Sequence, residues 1–378
     1  MTILSSKSHE AVMAVGYDEE KEQKRRQEVM KQKRIAVLFG GASSEYEVSL
    51  QSAYAVMTHI DKEKYEVLPI GIAQNGAWYL YRGELANIPG DSWFTENHCV
   101  PVAVSPDRNL HGILLIKGTG VEEVSLDGAL PILHGKNGED GTVQGVLELA
   151  DIPLIGCNTM SSAICMDKET AHRLARECGV KVPASYTITE GDRMDKARIE
   201  AYGEKLGYPL FVKPLRAGSS FGITKVAGKE QLLPAVEHAF AYDSHVILEE
   251  MIEGFEVGCA VLGTEELTVG EVDEIELSEG FFDYTEKYTL KSSQIHVPAR
   301  ISEQKAKEIK DAAVRIYRGL GCGCFARVDM FLTPQGEIYF NEVNTIPGFT
   351  AHSRYPNMMK AAGISFEEIL SRLLALLP

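Results

Sequence analysis

The chain has 378 residues, of which 44% are hydrophobic and 24% charged, and its formal net charge is −16. That length exceeds one ordinary core and fits about two or three domains of a soluble globular protein. The acidic balance excludes a broad nucleic-acid footprint, which needs basic surface, yet leaves room for an anion such as ATP held by local cations and a metal. The seven cysteines are scattered without a CxxC pair, which excludes a zinc ribbon or a disulfide framework and suits reduced thiols. With no secretory segment and no run of about 18 apolar residues, a cytoplasmic protein without a membrane partner is expected.

Residues 1–33 form a charged extension, nearly all charge and Gln from Asp18 onward, expected as a solvated helix or a disordered tail. Met30, just before the first strand signal, is a candidate start. From residue 34 strand and helix signals alternate: a strand at 34–39, a helix from about Glu47 to His59, strands at 67–72 and 126–133, and a helix at 143–150. This alternation predicts a Rossmann-like domain over 34–156, with a parallel sheet and ligands at its strand ends. A second unit, 157–247, holds a helix at 167–177, strands near Tyr186 and at 210–213 and 223–226, and a helix ending at Phe240. The third, 248–378, holds a helix at 303–318 with Ile309, Ala313 and Ile316 in register, and a hairpin of 325–332 with 337–343. The fold class is therefore α/β, turning α+β in the C-terminal half.

The hairpin concentrates chemistry. Arg327 and Asp329 are two apart on one strand, and Glu342 and Asn344 two apart on the other, so each pair shares a face. A turn centred on Pro334-Gln335 would set Arg327 opposite Glu342 with Asp329 diagonal to it. Two carboxylates and an amide oxygen then form a hard-oxygen site of the kind magnesium prefers with nucleotide phosphates, although a solvated Arg327–Glu342 salt bridge fits the same pattern. Lys213, followed by the loop RAGSSFG at 216–222, suits phosphate, but no GxxxxGK[ST] occurs. The GxGxxA pattern at 321–326 lies between a helix and a strand, the reverse of the dinucleotide order, and is rejected. His134, in the glycine-rich HGKNGEDG, suits either a structural bond or a substrate carboxylate. Ser43 and Ser44 with Glu45 and Glu47 read first as a helix cap with acids in the first turn.

Taken in order, GGASSEYEVS, HGKNGEDGTVQG, MDKETAH, VKPLRAGSSFGITKV, LEEMIEGFEVG, FFDYTEKY, RVDMF and NEVNTIPGFT resemble the D-alanine–D-alanine ligase family of ATP-grasp enzymes over residues 33–377. The resemblance implies an ATP-grasp pair of subdomains (157–247 and 248–378) behind the N-terminal domain. It implies that Glu47 holds the ammonium of the first D-alanine and that His134 lies by its carboxylate. Lys168 and Lys213 would bind ATP phosphates beneath the Ser219 loop. Glu249, Met251 and Ile252 would hold adenine, and Glu256 the ribose. Asp329, Glu342 and Asn344 would bind two Mg²⁺ ions, with Mn²⁺ an alternative, and Arg327 with the Gly348 N–H would form the oxyanion site. The segment 281–288 would be a lid, its Lys287 on the γ-phosphate and its Tyr288 linked to Ser219 and Glu47. A homodimer is also implied.

After His352, Ser353 and Arg354 stand where housekeeping members usually carry an apolar second residue, and the lid reads FDYTEKY. That combination is similar to the vancomycin-resistance D-alanine–D-serine ligases of the VanG type. It implies a cell-wall peptidoglycan precursor made through a D-alanyl phosphate, with D-serine as acceptor and a second D-alanine as the alternative. A different ATP-grasp carboxylate–amine ligase is the remoter reading.

Overall fold

The computed structural model describes residues 32–218, 221–277 and 293–377. The extension up to residue 31 with Met30, Ser219, and the lid segment 281–288 with Lys287 and Tyr288 lie outside the described residues.

Strand β1 (Lys33–Gly40) is an almost unbroken apolar run whose last six residues are buried, as a central strand covered on both faces must be. It starts at Lys33, so the strand takes in the last residue of the expected extension. After α1 (Tyr46–His59), β2 (Tyr65–Ile72) pairs parallel to β1. There follow β3 (Trp78–Tyr81), β4 (Cys99–Val104), β5 (Gly112–Lys117), β6 (Gly120–Ser125) and β7 (Gly128–Pro131). The sheet order is β6-β5-β4-β3-β2-β1-β7, and only β2-β1-β7 is parallel. The expected parallel sheet is thus narrower than the domain. Four antiparallel strands extend it, and such neighbours need no crossover helix.

Helices α2 (Thr142–Leu149), α3 (Thr159–Met166) and α4 (Lys168–Glu177) lead out of this sheet. The second sheet contains β8 (Ser185–Thr189), β9 (Leu210–Pro214), β10 (Thr224–Val226) and β11 (His245–Glu250), in the order β10-β9-β11-β8 and antiparallel throughout. Helices α5 (Lys196–Leu206) and α6 (Lys229–Phe240) cover it and close a separate core with Val212, Leu232, Val236 and Leu248.

The third sheet holds β12 (Phe255–Leu262), β13 (Thr268–Val269), β14 (Asp273–Leu277), β15 (Ser293–His296), β16 (Phe325–Leu332) and β17 (Ile338–Asn344), backed by α7 (Glu303–Gly319). Helices α8 (Arg354–Ala361) and α9 (Phe366–Leu374) then return to the first sheet. There Tyr355, Met358, Ile369 and Leu373 share one core with Ile35, Val37 and Phe39. That shared core joins the two ends of the chain and brings their loops together.

Candidate active site

The β16–β17 hairpin closes by a five-residue turn, so Leu332 faces Ile338. The register then slips between Asp329 and Met330, leaving Asn341 as the extra residue of a bulge. As a result Asp329 lies opposite Glu342 and Arg327 opposite Asn344, two residues beyond the expected partner of Arg327. The salt bridge considered between Arg327 and Glu342 is replaced by one within β16. Arg327 donates from Nε and Nη2 to Asp329, at 2.8 and 2.7 Å. Asn344 donates to the same carboxylate at 2.8 Å. Asp329 is only 1% exposed, so this is an interior cluster and not a solvated face.

Arg354, at the start of α8, enters from the other side. Its Nε and Nη2 donate to Asp273 at 2.7 and 2.8 Å, its Nη1 to Glu256 at 2.6 Å, and Nη2 stands 3.4 Å from Asp329. Gly258 makes room for this fork, because a Cβ there would lie 2.4 Å from Arg354 Nη2. Two guanidiniums thus compensate the buried acids, the condition under which buried charge is tolerable.

The strand-end turn before α1 is built differently from a serine cap. Glu45 occupies the N-cap without a side-chain cap bond. Ser43 Oγ accepts from Glu45 N at 3.1 Å and donates to His134 O at 2.8 Å, tying two loops together. Gly135, at φ +69°, passes so close that a Cβ would meet Glu45 Oε2 at 2.1 Å. Burial and then the neighbouring Glu45 hold the Glu139 carboxyl above its ordinary range. Glu139 accepts from Gly135 N at 2.9 Å and from Ile346 N at 3.0 Å.

His134 is buried, which pushes its pKa down to about 4 and leaves the ring neutral. Its Nδ1–H donates to Ile346 O at 2.8 Å, and Nε2 accepts from Ser52 Oγ at 3.2 Å. Both ring nitrogens are thereby used within the protein, since a neutral ring has one N–H and the loop takes it, and His134 also lines the cavity described below.

Asp167 caps α4 by accepting from Thr170 N at 2.9 Å, so Lys168 opens that helix and its Nζ reaches Ala217 O at 2.9 Å. Lys213 on β9 pairs with Glu249 on β11. Burial drives the Glu249 carboxyl up, but Lys213, His172 and Lys168 outweigh it and hold it below the usual range. Glu249 Oε2 and His172 Nδ1 are both buried without a hydrogen-bond partner, two acceptors that suit the N–H groups of a base.

A cavity of about 650 Å³ collects Glu47, His134, Lys168, Arg327, Glu342, Asn344, Gly348, Ser353 and Arg354 from all three parts of the chain. Ala217 and Gly218 of the phosphate-type loop line it too, while Lys213, Glu249, Met251, Ile252, Glu256 and Asp329 do not. Asp329 and Glu256 stand behind the wall on the arginines, and Lys213 with Glu249 lies in the second sheet, linked through Lys168. Glu342 and Asn344 offer hard oxygen donors at the cavity wall, and Asp329 would join them on a divalent cation only by giving up bonds to Arg327 and Asn344.

Residues 34–157 match the D-ala D-ala ligase N-terminus family, and residues 174–375 the D-ala D-ala ligase C-terminus family. The chain belongs to the D-alanine–D-alanine ligase family. Members of that family are ATP-dependent ligases with the ATP-grasp fold, and this chain is one of them. It is 46% identical over 345 residues to the vancomycin C-type resistance protein VanC1 of Enterococcus gallinarum, covering 91% of this chain and 98% of that protein. It is 43% identical over 349 residues to the D-alanine–D-alanine ligase of Caldicellulosiruptor bescii, covering 91% and 94%. Among solved structures, the VanG D-Ala:D-Ser ligase of Enterococcus faecalis superposes with a TM-score of 0.86 at 56% identity, over 92% of this chain and all of that one.

Four polar residues of this ligase site escaped the sequence reading. His172 is four residues after Lys168 on one helix face, a spacing that was visible. Glu139 was visible as an acid in a glycine-rich turn, but nothing local marked Ser52 or Asp273, whose partners lie 297 and 81 residues away.

Proposed function

We propose that this ligase joins D-alanine to D-serine through a D-alanyl phosphate, making a peptidoglycan precursor of the kind linked to vancomycin resistance, in the cytoplasm and as a homodimer. The observation that carries the ligase chemistry is the convergence of Lys168, Arg327, Glu342, Asn344 and Gly348 on one cavity. The acceptor rests on the 56% identity to a D-Ala:D-Ser ligase and on Arg354 in the cavity wall.

In this reading Glu47 takes the first ammonium, while Lys168 and Lys213 take phosphate charge. Glu249, Met251 and Ile252 hold the base, and Glu256 the ribose from its place beside Arg354. Asp329, Glu342 and Asn344 would hold two Mg²⁺ ions, or Mn²⁺, which would neutralise the phosphates when bound. The carboxylate of D-alanine attacks the γ-phosphorus of ATP and ADP leaves. The acceptor amine then attacks the acyl carbon, and Arg327 with the Gly348 N–H stabilises the oxyanion before phosphate departs. Ser219, Lys287 and Tyr288 keep their roles by resemblance alone.

A second D-alanine as acceptor is the alternative, favoured by one observation: Arg354 already spends donors on Asp273 and Glu256. Incubation with ATP, Mg²⁺ and D-alanine, offering D-serine, D-alanine and D-lactate in competition, separates these readings by product mass. D-Alanyl-D-serine should dominate. Dominant D-alanyl-D-alanine would reject the serine assignment, and absence of any such product would reject the ligase.

A further inference from the structure

The oxyanion donor assigned to Gly348 sits in the turn between β17 and α8, where no ladder holds it. Its neighbours on both sides are instead gripped by the first domain. Before it, the Ile346 peptide is held at both ends, its N–H by Glu139 at 3.0 Å and its carbonyl by His134 Nδ1 at 2.8 Å. After it, Phe349 N–H donates to Ser52 Oγ at 3.2 Å. Ser52 passes its own hydrogen to His134 Nε2, so Phe349, Ser52, His134 and Ile346 close a ring around the turn. Ser52 is fully buried on α1, the helix whose first turn carries Glu47.

We infer that Ser52 and Glu139 are positioning residues for the ligation step: they anchor the two flanks of the Gly348 turn and hold its N–H at the point where oxyanion charge develops. The inference rests on the ligase reading above. Neither residue need touch substrate. Each acts through a backbone peptide, and α1 carries the alignment from the ammonium site to the oxyanion site. The hydroxyl of Ser52 accepts one bond and donates another, which no apolar side chain can do. The two oxygens of the carboxyl group at 139 each take one N–H, from Gly135 and Ile346, whereas an amide offers a single oxygen.

The test is steady-state kinetics of the full chain with ATP, Mg²⁺, D-alanine and D-serine for Ser52→Ala and Glu139→Gln, alongside thermal melting. Displacing a reacting group by about 1 Å can cost roughly 100-fold. Each variant should therefore lose about 10- to 100-fold in kcat, while KM for ATP and the melting temperature stay near wild type. Wild-type kcat in either variant would overturn the inference. So would a parallel collapse of kcat, ATP affinity and melting temperature, which marks a purely structural role. If wild-type protein makes no dipeptide, the ligase reading itself fails and this one with it.

Discussion

Arg327 has two duties at the scale of a single side chain. It compensates the buried Asp329 and it lines the cavity. A lysine at 327 keeps the charge but lacks the planar fork, so one ammonium cannot serve both. Arg327→Lys should lose about 3 kcal/mol of transition-state stabilisation, roughly 100-fold in kcat, with a smaller change in KM. Unchanged kcat would remove Arg327 from the oxyanion site. His134 makes a different prediction. Its folded pKa is pushed down from 6.5 to about 4, so below 6.5 the unfolded chain takes a proton that the folded chain refuses. Stability is complete above that value and is lost as pH falls towards 4, by about 3 kcal/mol from this ring. Urea melts across that window should show a steeper acid loss in wild type than in His134→Asn. Equal slopes would mean that the ring is not held neutral.

Among the elements, α4 would couple stability to the proposed nucleotide contact most directly, because its cap and its first residue stand side by side. Asp167 fixes where the helix begins, and so where Lys168 projects. Asp167→Ala should cost about 1 kcal/mol of stability and also raise KM for ATP, as the Lys168 ammonium leaves Ala217. A lowered melting temperature with unchanged KM would separate the lysine from the phosphates. The hairpin teaches a complementary point. Its period of two placed Arg327 with Asp329 and Glu342 with Asn344 from sequence alone, since alternation is intrinsic to a strand. Which residue faces which depended on a bulge at Asn341, and a bulge is set by how neighbouring strands and side chains pack.

Across the whole molecule, the first and third sheets meet in one core sealed by α8 and α9, while the second sheet keeps its own. Removing α9 strips Ile369, Leu370 and Leu373 from the shared core. The loss exceeds what a marginally stable domain can bear, so a chain ending at residue 363 should fail to give soluble folded protein. Because the cavity draws on all three parts, a non-hydrolysable ATP analogue with Mg²⁺ should stabilise the fold by about 2.7 kcal/mol at a hundred times Kd, read as a raised melting temperature. EDTA should abolish most of that gain, and a gain indifferent to EDTA would argue against the Asp329, Glu342 and Asn344 site. The strands, the main helices and the acid–amide pairs were legible in the sequence because periodicity and capping are local physics. The helix at Thr159–Met166 and the antiparallel strands β3–β6 were not, since their short apolar runs gain order only from packing. By itself the sequence determined the family, through motifs in a set order, and with it the reaction class. Only the tertiary structure decided that Arg354 is locked onto buried acids, that His134 faces a loop, and that Ser52 reaches Phe349, because such contacts join residues far apart in the chain that meet only once the core has formed.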